Sequence, residues 1–399
     1  MATVPVARRF VLQLDPLAFR LGQRRLGIIH IEAEGMDSFH GGAGPVLRYP
    51  VGKNKREKQP MTRIGRRSLL ASMPALVAPA LVAPALVAPP FVAPASAQPV
   101  WPSRGLTWVV PFAAGGITDS SSRVVAQKLS QILGQPVVVE NRPGAGGTIG
   151  AEAVARAAPD GYTLLYGSQG PIAAAPALFP NLRYDPKRDF IPVQGLGASP
   201  NMVVTSPGRP WRSMAELVAA ARDRPETLTY ASSGIGTAPH LAVELLQQAT
   251  GTKLIHAPYA NGTQAVNDVI GGRVDVMWDY PLTCIPHVRD GRLRALAVTD
   301  RTRVRLAPEI PTMAETGFPE AEFLHWAGLF VPAGTPAPIV ARLAEALRNS
   351  MQDQRVQDFF DGTATVLWPE MGPDGFRSFL EAEWPRIATL VARSGARPG

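Results

Sequence analysis

From residue 101 onward, short apolar runs of strand length alternate with stretches of helical periodicity, and many of the runs end in a Gly, Ser or Thr loop. LTWVVPF (106–112) reads as a buried strand. Residues 118–133 read as a helix with Val125, Leu129 and Ile132 on one face. PVVVEN (136–141), a helix near 151–157 and TLLYGS (163–168) follow. The pattern resumes with NMVVTSP (201–207) and a helix over 213–221 that Ser213 is placed to cap. LTYASS (228–233), a helix over 240–249, KLIHAPY (253–259), a helix over 264–270, VDVMWD (274–279) and LRALAVT (293–299) come next. AGLFVPAG (327–334) and helices over 338–347 and 376–392 complete the chain. Such alternation predicts an α/β fold of mainly parallel sheets flanked by helices. The units cluster in two groups, parted near 200–210 and near 310–325. That predicts two lobes: 98–205 begin the first, 206–310 build the second, and 311–399 return to the first.

The chain has 399 residues, with 40 Lys+Arg against 32 Asp+Glu. A basic balance invites nucleic acid as a partner, so its location matters. Residues 1–97 hold 13 basic and 5 acidic side chains, and residues 98–399 hold 27 of each. The excess lies wholly in the N-terminal quarter, which argues against nucleic acid. Residues 1–60 have no sustained periodicity and are expected to be an unstructured upstream extension. Met61 opens a charged segment with Arg63, Arg66 and Arg67, then an apolar stretch, then Ala95-Ser96-Ala97. This is the layout of a secretory signal cleaved after Ala97, so 61–97 are expected to export the protein to the periplasm, by the general or the twin-arginine route. The apolar stretch repeats ALVAP three times over 75–89. A proline every fifth residue argues against a membrane-spanning helix. A signal belongs at a terminus, so Met61 is expected to be the true start, and peptide mapping of the expressed precursor should yield nothing from residues 1–60. The single cysteine, Cys284, permits no internal disulfide and reads as a small buried side chain.

Four junctions share one form: a buried strand, a Gly/Ser/Thr loop and a helix start. They are Pro111–Ser122, Gly167–Pro171, Ala231–His240 and Pro258–Thr263. In open α/β sheets, ligands bind beyond the carboxyl ends of the strands. Helix N-termini there offer free N–H groups and about half a positive charge. One such loop is an ordinary turn or cap; four on the same edge point to a site for a carboxylate. No lysine lies in these loops, so dipoles, hydroxyls and water would hold the anion. Thr118 or Asp119 either caps its helix or meets the ligand. His240 either donates to the ligand or holds its loop. Asp279, at a strand end, suits an ammonium or hydroxyl, or faces solvent.

The same segments, in the same order, resemble the Bug-type receptors of tripartite tricarboxylate transporters. They are PFAAGGITDSSSR (111–123), GQPVVVENRPGAGGTIGAEAVARAAPDGYTLLYGS (134–168), YDPKRDF (184–190), LTYASSGIGTAPHLAVELL (228–246), HAPYANGTQA (256–265), GGRVDVMWD (271–279), GRLRALAVT (291–299), PEIPTMAETGFPE (308–320) and WAGLFVPAGTPAPIV (326–340). The resemblance spans essentially residues 101–395. It implies a periplasmic receptor of two α/β lobes joined by two crossing hinge strands, with a small carboxylate between them and membrane transporter subunits as partners. It implies a first ligand loop of Phe112, Ala113, Gly115, Gly116, Thr118 and Asp119, and a second of Gly167 and Ser168. Ser232, Ser233, Gly236, Thr237 and His240 would face them, with Tyr259 and Asp279 nearby. A monomer is expected, without cofactor, metal or catalytic group, and the lobes should close on the ligand by a hinge motion. Three departures stand out: Ile117, where the family often has a small polar residue, Pro258-Tyr-Ala-Asn-Gly, where it often has PYKG, and bulky Tyr280. Ile117 and Tyr280 are expected to narrow the pocket or make it more apolar.

Rival chemistries find weaker patterns. Gly144, Gly146 and Gly150 give G-x-G-x-x-x-G rather than the G-x-G-x-x-G of a dinucleotide site, and the unit is not the first strand. An NAD(P)-dependent oxidoreductase using that loop is the main alternative. No G-x-S-x-G elbow marks a serine hydrolase. The six histidines are scattered without H-E-x-x-H, and no array repeat follows residue 98.

Overall fold

The computed structural model describes residues 101–259, 262–394 and 396. The expectations for residues 1–97 lie outside the described residues.

The first unit starts with strand β1 (Leu106–Val110), helix α1 (Ile117–Leu133), β2 (Val137–Asn141), α2 (Thr148–Ala155) and β3 (Thr163–Ser168). β1 is parallel to both β2 and β3. Trp108 and Val109, successive residues on opposite faces, are both buried, so β1 is covered on both faces, as its unbroken apolar run requires. A π-helical turn (Gln169–Ala174) and α3 (Ala175–Leu178) lead to the long strand β4 (Phe190–Pro200).

After Asn201 the chain joins a second sheet as β5 (Met202–Thr205). It continues through α4 (Met214–Asp223), β6 (Thr229–Ser232), α5 (Ala238–Thr250), β7 (Ile255–Pro258), α6 (Gly262–Ile270), β8 (Val276–Asp279), α7 (Pro281–Arg289) and β9 (Arg294–Val298). As the sequence predicts, the Ser213 hydroxyl caps α4, accepting the Glu216 N–H at 3.2 Å. β10 (Leu324–Pro332) then re-enters the first sheet, followed by α8 (Ala337–Met351), α9 (Gln354–Asp361), β11 (Val366–Leu367) and α10 (Pro373–Ser394).

The first sheet runs β11-β4-β10-β3-β1-β2 and the second β7-β6-β8-β5-β9. The fold is the expected two-lobed, periplasmic-binding-protein-like α/β architecture. The sheets, however, are mixed rather than mainly parallel. β10 is antiparallel to β3 and β4, and β5 is antiparallel to β8 and β9. The reason is topological. Parallel pairs arise within the strand–helix–strand units, whereas β4–β5 leads out of the first sheet and β9–β10 leads back, so the two crossings run in opposite senses.

The crossings are tied together. Asn201 N–H donates to Thr299 Oγ1 at 2.8 Å, and Thr299 N–H donates to the Asn201 carbonyl at 2.9 Å. Thr299 Oγ1 donates to the Phe323 carbonyl at 2.6 Å. Buried Trp326 donates its indole N–H to Glu383 on α10 at 3.0 Å, fixing the returning strand. Cys284 is fully buried, and burial pushes its thiol well up. Among the described residues no helix is long and apolar enough to cross a membrane, and no group of three or more His, Cys, Asp or Glu side chains could hold a metal ion.

Candidate functional site

Four α-helices begin at the wall of one cavity of about 110 Å³. Its lining includes Gly116, Ile117 and Thr118 at the start of α1, Thr237 and Ala238 at the start of α5, Gly262 at α6, and Tyr280 at α7. Gly116, Thr237 and Tyr280 make no side-chain cap bond. The first-turn N–H groups of a helix have no intrahelical partner, so these ends present donors and partial positive charge to the space between them. A water needs roughly 10–15 Å³ of such volume, so the cavity holds several waters or a small molecule. A groove of about 480 Å³ lies by the crossing strands, but its guanidinium groups are already paired, Arg301 with Glu322 and Arg386 with Glu383.

Nine of the sequence-predicted residues line the cavity: Phe112, Ala113, Gly115, Gly116, Thr118, Ser168, Ser233, Thr237 and Asp279. Ile117 and Tyr280 line it too, adding apolar surface. The other six candidates stand behind or beside the wall. Asp119 turns back on its own loop, accepting the Gly115 N–H at 2.9 Å and pairing with Arg123 at 2.9 Å. Burial opposes its ionisation, but Arg123, the Gly115 N–H and Asn141 outweigh it and hold the carboxyl below its usual range. Asn141 in turn donates to the Phe112 carbonyl at 3.1 Å. This bracket sets the first loop. Gly167 faces β10 instead, where an added Cβ would stand 2.3 Å from the Phe330 ring.

The second-sheet loop has a support of its own. Ser232 Oγ bonds His256 Nε2 at 2.6 Å and accepts the Gly234 N–H at 3.2 Å. Gly236 N–H donates to His240 Nδ1 at 3.1 Å, so this nitrogen is the unprotonated one and the histidine holds the loop rather than reaching the cavity. His240 stacks on His256 at 4.4 Å, and His256 on Tyr230 at 4.7 Å. Burial, with His256 adding to it, lowers His240 to about 3, and burial lowers His256 to about 4. Both are neutral. Tyr259 donates to Asp268 at 2.8 Å and lines a neighbouring cavity that shares Phe112, Ala113 and Ser233 with the first.

Ala114, Ala238, Gly262 and Thr263 of the four predicted loops also line the cavity, and sequence reasoning missed His325 and Thr283. His325 comes from β10. The amide N–H of Gln169 is spent on the Leu324 carbonyl at 2.7 Å, which orients Gln169 Oε1 to accept from Trp326 N–H at 3.1 Å and from His325 Nδ1 at 3.0 Å. His325 Nε2 is therefore the acceptor, and Tyr166 O–H donates to it at 3.3 Å. Burial lowers His325 to about 3, so it too is neutral. Among the described residues no lysine or arginine lines the cavity, and Asp279 is the one carboxyl in its wall.

The glycine loop of the oxidoreductase alternative borders the neighbouring cavity through Gly144, Gly146 and Gly147 but sits at the rim of its sheet. It follows β2, an edge strand, and Gly146 lies against the Ile235 carbonyl of the facing loop. Residues 121–370 match the family described as "Tripartite tricarboxylate transporter family receptor". The chain belongs to this receptor family. Its members are periplasmic solute-binding receptors rather than enzymes or oxidoreductases. The chain is 37% identical over 300 residues to Protein BugT of Bordetella pertussis, covering 74% of this chain and 91% of that one, which makes it a Bug-type receptor. Two solved receptors share the fold. MatC from Rhodopseudomonas palustris with bound malate is 34% identical, with a TM-score of 0.69 over 73% of this chain and 99% of its own. R. palustris Rpa4515 with adipate is 33% identical, with a TM-score of 0.71 over 75% and 100%.

Proposed function

We propose that this Bug-type receptor binds a small carboxylate in the cavity between its two sheets and presents it to the membrane subunits of a tripartite transporter or to a sensor. The observation that carries this is the convergence of four helix N-termini on a cavity without a cationic side chain. Backbone donors there can take a carboxylate, while the absence of lysine and arginine leaves no strong point charge for a phosphate. The role is binding, not catalysis. The malate and adipate of the two solved receptors support an organic acid as the guest.

Phe112–Thr118 and Ser168 would grip from the first lobe (98–205 and 311–399), and Ser233, Thr237 and Asp279 from the second (206–310). Asp119, Ser232, Gly236 and His240 would position those loops. The mature protein would be a periplasmic monomer cleaved after Ala97, its lobes closing by rotation at the 200–202 and 299–323 crossings. X-ray scattering with and without malate or adipate should show a smaller radius of gyration in the bound state. Calorimetric binding without compaction would defeat the hinge; no binding of any organic acid would defeat the receptor role itself.

A further inference from the structure

The cavity that takes an anion also contains a carboxyl. Asp279 ends β8 and is 4% exposed. Around it stand Tyr280, Thr283 and Cys284 of α7, Gly262 and Thr263 at the start of α6, and Ser233 after β6. Met202 of β5 is its partner in register. His325 of β10 lies against the Tyr280 ring at 5.1 Å, with Tyr166 of β3 behind it. Of these, Tyr280, Cys284, His325 and Tyr166 can titrate. Burial pushes the two tyrosines and the thiol up and the histidine down, so all four are uncharged. No charged side chain in this ring offsets an ionised Asp279 when an anion enters, and the α6 and α7 N-termini offer only partial positive charge that the anion would share.

Two negative groups in so small and dry a space would repel strongly. A carboxylic acid there becomes a donor instead. We infer that Asp279 binds as the neutral acid, donating its O–H to a ligand carboxylate oxygen, so that the receptor captures a small dicarboxylate together with one proton. One carboxylate would meet the helix N–H groups and the other Asp279. The proton comes from solvent, stays on the Asp279 oxygen, and is shared through the hydrogen bond without any covalent step. The free protein is poised for this. Burial raises Asp279 to about 7, against the opposing pull of the Tyr280 N–H and Thr283 hydroxyl. A nearby anion raises it further.

This inference rests on the receptor reading, and its test separates the two. Binding of succinate, malate and adipate is to be measured calorimetrically from about pH 5.5 to about pH 8.5, in two buffers of different ionisation heat. The wild type should take up about one proton per ligand at the alkaline end and lose affinity there by close to tenfold per pH unit. Asp279→Asn keeps a donor but cannot titrate, so its affinity should vary less than about twofold over the range. Without ligand at pH 8, Asp279→Asn should also melt above the wild type, because a buried ionised carboxyl is removed. A flat wild-type profile overturns the inference, as does an unchanged slope in Asp279→Asn. Preference for amino acids that strengthens with pH overturns it too, because Asp279 would then act ionised, yet leaves the receptor reading standing. Binding of none of the probes at any pH overturns both.

Discussion

Replacing Gly146 by alanine is expected to weaken ligand binding by roughly one to two orders of magnitude while leaving both sheets folded. Gly146 has φ 64° and ψ 19°, in the left-handed region. An added Cβ would stand 2.3 Å from the Ile235 carbonyl oxygen. Residue 146 follows β2 in the first sheet and residue 235 follows β6 in the second, so the two halves meet backbone to backbone at this point. Nearby, a Cβ on Gly236 would stand 2.7 Å from Leu178 Cδ1. A carbonyl cannot swing aside as a side chain can, so a methyl at 146 must part the loops. If ligand binding requires them together, the variant charges the overpacking cost of about 1–3 kcal/mol to the closed state, and each 1.4 kcal/mol is about tenfold in affinity. Gly146→Asn separates this from local strain, since asparagine tolerates left-handed backbone but carries the same Cβ. Calorimetry on both variants decides the matter. Similar weakening in both supports closure at this contact. Weakening in alanine alone assigns the effect to strain, and wild-type affinity in both removes the contact from the mechanism.

The legible parts of the molecule were those whose signals are local. LTWVV, TLLYGS and VMWD are uninterrupted buried strands, and their apolar runs declare them. β4 was missed because Pro192, Gly195, Gly197 and Pro200 break its run, although it pairs with β10 along its length. α7 was missed because Pro281 and Pro286 interrupt its helical pattern, and with it went Thr283. At the site, strand ends located the loops but not which side chain turns inward. Successive strand residues face opposite ways, so Ser168 lines the cavity while Gly167 meets Phe330. Asp119 and His240 sit at helix starts yet bond back to Gly115 and Gly236. Spacing to a glycine four residues earlier was the available clue. His325 had a fainter one, a lone histidine in an otherwise apolar strand. Its contact with Tyr166 spans 159 residues, a distance that only the returning strand closes.

Acid should destabilise the ligand-free protein through the same buried histidines. His240, His256 and His325 lie at about 3, 4 and 3, below the ordinary 6.5, because burial disfavours their charged forms. Below pH 6.5 the unfolded chain binds protons at these positions and the folded chain does not. Their contribution is therefore intact above 6.5 and erodes as pH falls toward the folded values, by up to ~1.4 kcal/mol per unit for each. Asp279 acts in the opposite sense. Raised from 3.8 to about 7, it costs stability at neutral pH, and that cost is relieved as pH falls through this window. Glu244, also raised by burial, works the same way. The three deeply buried histidines against the two carboxyls leave a net loss of roughly 2–5 kcal/mol between about pH 6.5 and about pH 4.5, a large share of the ~5–15 kcal/mol of a typical fold, and His287, lowered mainly by burial, acts in the same sense. Urea titrations at the two pH values measure it. His240→Asn keeps an acceptor for the Gly236 N–H but cannot titrate, so it should lessen the pH sensitivity by up to ~1.4 kcal/mol per unit. A wild-type midpoint that does not move, or a His240→Asn variant as acid-sensitive as its parent, would show that these imidazoles protonate without unfolding their surroundings.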